Sequence, residues 1–327
     1  MNITDFFIDP QTKLVRSVWR ALAFLFVLML PQWLISLLFK SSQMEPSAVF
    51  EVSIAMIFTY AVLIAWVVFI SWLCLRLLDQ RSLRSLGFAL HQNWRREMLL
   101  GFAISVGMIA VVAGLQVIGG GTRIALNSVW WKGGGVDAAG LLLTTKEVLL
   151  ALVLLILAAA VEELAFRGYA FQTLLRGAPP IVPMLLLSIY FGYGHWENPS
   201  RTSFSTANTV LAGVWLSLAY LKTRSLWLPT ALHFGWNWTM GAVFGLPVSG
   251  LLIPQHSILF STSGGPLWLT GGSYGPEGGA AATIVVIASS IFIWRAKWLS
   301  VAPEVQAALI ETAQPEDSNI RLNLQNE

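Results

Sequence analysis

Two adjacent carboxylates and a guanidinium lie where none is expected. The run Val161-Glu-Glu-Leu-Ala-Phe-Arg167 continues an apolar stretch that opens at Val148 and has the composition of a membrane-spanning helix. An ionised Asp, Lys or Arg costs about 2.5–3.5 kcal/mol at the centre of such a helix, so these residues usually face the bundle interior, pair, and serve a function. Glu163 and Arg167 are four apart, share a helical face, and have Glu on the N-terminal side, the better order for an ion pair. Glu162 is rotated by about 100° and has no basic residue at i±4, which leaves it as the free carboxylate and a candidate general base. Partners stand downstream. Phe191-Gly-Tyr-Gly-His195 places an imidazole where an apolar run meets a loop, and His233-Phe-Gly-Trp-Asn237 puts an imidazole and an amide on one face. The whole chain has only four histidines.

Glu162, His195, His233 and Asn237 suit three kinds of chemistry. In the first, Glu162 and His195 take a proton from water while His233 and Asn237 donate hydrogen bonds to a developing oxyanion. In the second, Glu162, His195 and His233 bind Zn²⁺ with water in the open position. In the third, the cluster serves helix association or a transport path. Small residues at Gly168, Gly192, Gly194 and Gly235 allow close approach of the backbones that carry it. A His-Glu-x-x-His helix is absent, so the ordinary zinc-protease argument does not apply.

These residues need helices in lipid to hold them. The 327-residue chain is 56% hydrophobic and 11% charged, with a mean hydropathy of +0.67; a soluble domain carries about 25% charged residues. Apolar runs predict eight spans: Val18 to Phe39, Ala48 to Leu78, Met98 to Ile118, Leu141 to about Leu175, Ile181 to His195, Phe204 to Leu221, Leu226 to Phe244 and Ala280 to Trp294. The fold class is an all-α polytopic transmembrane bundle over 18–300, with its core at about 147–245. Residues 1–17 form an N-terminal tail, and 301–327 an acidic C-terminal tail. Basic residues at 13–20, 76–96, 176, 222–224 and 295–297 all fall on one side of this arrangement, which places both termini in the cytoplasm. Lys40 to Ser47 reads as a short loop. Leu83, Leu86, Phe88 and Leu90 read as an amphipathic segment on the membrane surface, and His91 beside them as a surface histidine. Gly119 to Asp137 reads as re-entrant or interfacial, and Pro247 to Gly279 as loop plus a partial helix folded back over a cavity. Depth is a difficulty: Glu162 is 14 residues, roughly 21 Å, from Arg176, and His233 only nine residues from Arg224, so a bend is required. Net charge of +3 gives no case for nucleic acid, and Cys74 alone excludes an internal disulfide.

Three motifs together resemble the CPBP family, also called the Abi family, the bacterial relatives of the CAAX-prenyl endopeptidase. They are Glu162-Glu163-x-x-x-Arg167, Phe191-x-x-x-His195 and His233-x-x-x-Asn237. Lys222-Thr-Arg-Ser-Leu-Trp227 resembles the family's approach to the third motif, with Arg224 in place of Gly. Arg81-Ser-Leu-Arg-Ser-Leu-Gly87-Phe resembles its basic segment before the core. The resemblance covers roughly 155–245. It implies an intramembrane endopeptidase of a bacterial plasma membrane, acting on a membrane protein or a lipidated or hydrophobic peptide. Glu162 and His195 would activate water, His233 and Asn237 would hold the oxyanion, and Glu163, Arg167 and Phe191 would support them. It favours direct water activation over an obligate zinc, the alternative being Zn²⁺ on Glu162, His195 and His233. The same family includes immunity-type binders and scaffolds, the alternative to proteolysis.

Overall fold

The structure, a computed structural model, describes residues 3–10, 13–38, 52–132 and 134–311. The expected loop at Lys40 to Ser47, the ends of the two spans flanking it, and the tail beyond 311 lie outside the described residues. In chain order the helices are α1 (Ile3–Phe7), α2 (Ser17–Leu38), α3 (Ile54–Cys74), α4 (Trp94–Ile118), α5 (Ala138–Glu163), α6 (Tyr169–Gly177) and α7 (Ile181–Gly194). They continue with α8 (Ser203–Thr223), α9 (Trp227–Trp238), α10 (Leu267–Thr270), α11 (Ala280–Arg295) and α12 (Pro303–Glu311). The long helices start on side-chain caps where the sequence supplies them. Ser53 Oγ accepts from the Met56 N–H, and Thr202 and Ser205 form a reciprocal capping box.

Among the described residues, Ile54–Asp79, Trp94–Ile118, Ala138–Gly177 and Ser203–Thr223 are long and apolar enough to cross a bilayer. Shorter apolar helices at Ser17–Pro31, Ile181–Gly194 and Ala280–Arg295 accompany them. Phe58, Leu99, Leu142 and Ile284 point outward and are exposed, a costly surface in water but an ordinary one in lipid. The chain is a largely helical polytopic membrane bundle.

Without a hydrophobic drive between helices in lipid, close packing must hold the bundle. One core joins α4, α8, α9 and α11 around Ile109, Trp215, Leu232, Trp236 and Met240. Another joins α2, α3 and α6 around Phe24, Ile70, Tyr169 and Phe171. Glycines set the closest approaches. A Cβ on Gly101 would lie 2.7 Å from the Ala231 Cβ, bringing α4 against α9, and one on Gly213 would lie 2.8 Å from the Ser188 Cβ, bringing α8 against α7. Gly192 and Gly235 are tight in the same way, whereas Gly168 and Gly194 meet only ordinary contacts at 3.9–4.0 Å.

The 40-residue run Ala138–Gly177 would be about 60 Å long if straight, twice a hydrocarbon core of about 30 Å. It is not straight. A π-helical turn at Leu164–Gly168 follows α5, and Gly168 leaves helical geometry at ψ −124 before α6 begins. This break supplies the bend that the depth of Glu162 required.

The structure corrects several expectations. His91 is buried, not superficial: its Nε2 lies 3.2 Å from Ser225 Oγ and its Nδ1 accepts from the Asn93 N–H at 3.2 Å. The segment around it is docked as well as amphipathic. Leu83 and Leu90 are exposed but Leu86 is buried. Its carbonyls at Leu86, Gly87 and Ala89 accept from Gln172 Nε2, Leu226 N and Trp227 Nε1 at 2.8, 2.9 and 3.1 Å. Arg20, within the basic cluster 13–20, is buried and donates to buried Asp79. The bundle also carries strands. β1 (Thr122–Leu126) pairs antiparallel with β4 (Leu259–Ser263), Thr122 opposite Ser263 and Leu126 opposite Leu259. A small ladder joins β2 (Trp131–Lys132) to β3 (Gly135–Val136). The expected partial helix within Pro247 to Gly279 is α10, and residues 251–258 before β4 are loop.

Candidate active site

A cavity of about 650 Å³ opens between the helices and is lined by Glu162, His195, His233 and Asn237 together. Glu162 and His195 come from helix ends, His233 and Asn237 from the body and the last turn of one helix. Glu162 is the penultimate residue of α5, just before the π-helical turn. His195 is the residue after α7. His233 and Asn237 lie on α9, which passes into a second π-helical turn at Thr239–Val243. Single π turns within helices recur at functional sites because they re-aim side chains without ending the helix.

The two glutamates have different surroundings. Glu163 is fully buried. Its Oε1 lies 3.2 Å from Arg167 Nη1, the expected i,i+4 pair, and also 2.9 Å from His233 Nδ1. The second contact departs from the sequence reading, which grouped His233 with Glu162. Glu162 is instead 3.7 Å from His233 through Oε2 and Nε2, beyond hydrogen-bond reach, and its Oε2 makes no hydrogen bond. Its side chain is 31% exposed to the cavity.

A carboxylate only accepts, so the 2.9 Å contact requires a proton on His233 Nδ1 and leaves Nε2 toward the cavity. His195 is oriented by the same logic. Its Nδ1 lies 2.8 Å from the Phe191 carbonyl, so Nδ1 carries a proton and Nε2 is left uncommitted by this bond. The four-residue spacing of Phe191 and His195 is thus a backbone-to-ring hydrogen bond. The Phe191 ring stands 4.8 Å from the Arg167 guanidinium, 4.7 Å from the His195 ring and 6.0 Å from the His233 ring. Arg167 ties the cluster to α8 through Nη2–H to the Gly213 carbonyl at 2.9 Å. Asn237 lines the cavity and is partly buried.

Besides Glu162, Phe191, His195, His233 and Asn237, the same cavity is lined by Glu277, Ser249 and Asn198. These stood in loop-rich stretches with no motif around them, and no sequence signal marked them. His256 does not line the cavity; it is held by Glu147, whose Oε1 lies 2.9 Å from His256 Nδ1.

Among the described residues no group of three His, Cys, Asp or Glu side chains is arranged to hold a metal ion. Of the three residues expected to hold zinc, Glu162 and His233 stand 3.7 Å apart through Oε2 and Nε2.

A family model described as type II CAAX prenyl endopeptidase Rce1-like matches residues 144–239. No curated protein and no solved structure gives a match. The chain therefore contains a CAAX-protease, Rce1-like domain over 144–239, and Glu162, Glu163, Arg167, Phe191, His195, His233 and Asn237 all lie within it.

Proposed function

We propose that the chain is an intramembrane endopeptidase that hydrolyses a peptide bond of a membrane protein or hydrophobic peptide by activated water. One observation carries this reading. Glu162, a carboxylate with an unpartnered oxygen, faces the same cavity as two imidazoles whose Nδ1 protons are already committed elsewhere. Water held between Glu162 and His195 Nε2 loses a proton to Glu162 as its oxygen attacks the carbonyl carbon. The oxyanion receives hydrogen bonds from Asn237 Nδ2 and from His233 Nε2–H in its doubly protonated form. Collapse breaks the C–N bond, and the proton held by Glu162 passes to the leaving amine. A positioned base contributes about 10²–10⁴-fold, and one oxyanion donor about 10²–10³-fold. Glu163 orients the His233 ring by accepting from Nδ1–H, and Arg167 neutralises Glu163. The apolar and aromatic walls, including Tyr60, Trp66 and Phe166, suit an apolar or lipidated segment.

In the same reading α9 with its π-helical turn is the seventh of eight crossings, and both termini are cytoplasmic because the basic clusters share that side. The test compares cell membranes holding the wild type with membranes holding Glu162→Gln, by mass spectrometry of new peptide termini. Fragments made by the wild type and missing from the variant are expected. Equal fragment sets would refute the activity. Retention of the cellular phenotype by both Glu162→Gln and His233→Ala would assign the immunity- or scaffold-type binding role instead.

A further inference from the structure

The two halves of the cluster reach the cavity on different elements. His195 stands on a turn past the end of α7, and His233 and Asn237 stand on α9. A hydrogen-bonded chain that lies partly outside residues 144–239 joins them. Trp236, beside Asn237, donates from Nε1 to Glu277 Oε1 at 3.0 Å. Glu277 Oε2 accepts from both the N–H and the Oγ–H of Ser249, each at 2.7 Å. The Ser249 carbonyl accepts from Asn198 Nδ2 at 3.1 Å, and the Asn198 N–H returns to the His195 carbonyl at 3.2 Å.

This chain is built at a conformational cost. Ser249 has φ +49 and Ser200, beside the His195 turn, has φ +57, both in a left-handed region uncommon for residues other than glycine. Gly250 packs against the turn so closely that a Cβ would lie 2.2 Å from the Pro199 carbonyl oxygen. Glu277 is held from behind as well. Asn208 Nδ2 donates to its backbone carbonyl at 2.8 Å, and Thr283 Oγ1 donates to Asn208 Oδ1 at 2.8 Å, which ties in α8 and α11. The carboxylate is thus a two-ended acceptor, one oxygen for α9 and the other for the segment that grips the His195 turn.

We propose that Glu277 is a positioning residue for the reaction, its carboxylate and Ser249 forming a strap that holds His195 in register with His233 and Asn237. The proposal rests on the catalytic assignment above. Misplacing a reacting group by about 1 Å can cost roughly 10²-fold in rate, and neither helix end alone sets the distance across the cavity.

Glutamine at 277 can accept with only one end, so Glu277→Gln breaks one limb of the strap. With the best-cleaved member of an internally quenched pool of transmembrane-like peptides in detergent, kcat should fall about 10- to 100-fold while KM stays within about twofold. Asn198→Ala should fall similarly, and the double variant little further, because both cut the same strap. Glu147→Gln is the control: it releases the same loop from α5 at His256 without touching the strap, and should keep wild-type turnover. Four histidines make the imidazole nitrogen spectrum assignable, and Glu277→Gln should shift the His195 resonances and leave those of His91 in place.

Wild-type turnover in Glu277→Gln would overturn the strap, as would an equal loss in Glu147→Gln. A rise in KM confined to peptides with basic residues would also overturn it, since Glu277 would then be contacting substrate. If the wild type cleaves no peptide, the endopeptidase reading is what fails. An unmoved His195 resonance in Glu277→Gln then still overturns the strap on its own.

Discussion

Glu162 and Glu163 are neighbours whose removal should have opposite consequences. Alanine at 163 strands the Arg167 guanidinium, which is 1% exposed, and takes the acceptor from His233 Nδ1. Breaking a buried ion pair by deleting one partner costs about 3–5 kcal/mol. A buried donor left unsatisfied costs about 1–3 kcal/mol. The two are not additive because they share one carboxylate. Arg167 also keeps its bond to the Gly213 carbonyl at 2.9 Å, which places the sum near 3–5 kcal/mol. At about 2–4 °C per kcal/mol, Glu163→Ala should lower the apparent melting temperature in detergent by roughly 10 °C. Glu162 makes no such bonds through Oε2, and its side chain faces the cavity. Glu162→Gln should stay within about 0.5 kcal/mol of wild type and move the melting temperature by roughly 1–2 °C. Its turnover should fall by about 10²–10⁴-fold. Tryptophan fluorescence melting beside peptide cleavage reads both quantities from one preparation. Equal melting of Glu163→Ala and wild type would refute the buried hub, and a large drop for Glu162→Gln would refute the division between the two residues.

Other consequences are equally direct. Mass-spectrometric metal analysis of purified protein, with cleavage assayed before and after chelation, should show activity unaffected by chelation; stoichiometric zinc with chelator-sensitive turnover would replace direct water activation by a metal site. Burial holds the His91 imidazole below its ordinary value of about 6.5, and Nδ1 accepts from the Asn93 N–H, so the fold holds this ring neutral. Its contribution to stability is therefore complete above about pH 6.5 and is lost as the pH falls below it, a slope that His91→Gln should remove from melting curves taken between about pH 7 and 5. Gly101→Val should cost about 1–3 kcal/mol and lower turnover, because its side chain must displace Ala231 and the Leu228 carbonyl on the helix that carries His233. Gly107→Ala, with no atom within 4 Å of the added Cβ, should instead raise the melting temperature slightly.

Much of the site is local and therefore legible in the chain. Four-residue spacing on a helix places Glu163 beside Arg167 and the Phe191 carbonyl beside His195, whatever else the bundle does. The cost of charge in lipid marks 162–167 as interior, and apolar runs locate the helices that carry the cluster. What faces what across helices is not local. Which glutamate receives His233 depends on how far α9 is rotated and how closely it approaches α4 and α5, set by contacts such as Gly101 on Ala231 and Ser105 Oγ on the Leu232 carbonyl at 2.6 Å. The burial of His91, the pairing of 122–126 with 259–263, and the meeting of Glu277 with Trp236 and Ser249 join residues 28 to 141 positions apart. No periodicity carries that information. The sequence by itself determined a membrane bundle and the polar residues gathered at its cavity, because solvation cost and helical pitch act within a few residues. Only the tertiary structure decided that Glu163 grips both Arg167 and His233 while Glu162 faces the cavity, because a buried carboxylate takes its partners from whichever helices pack against it.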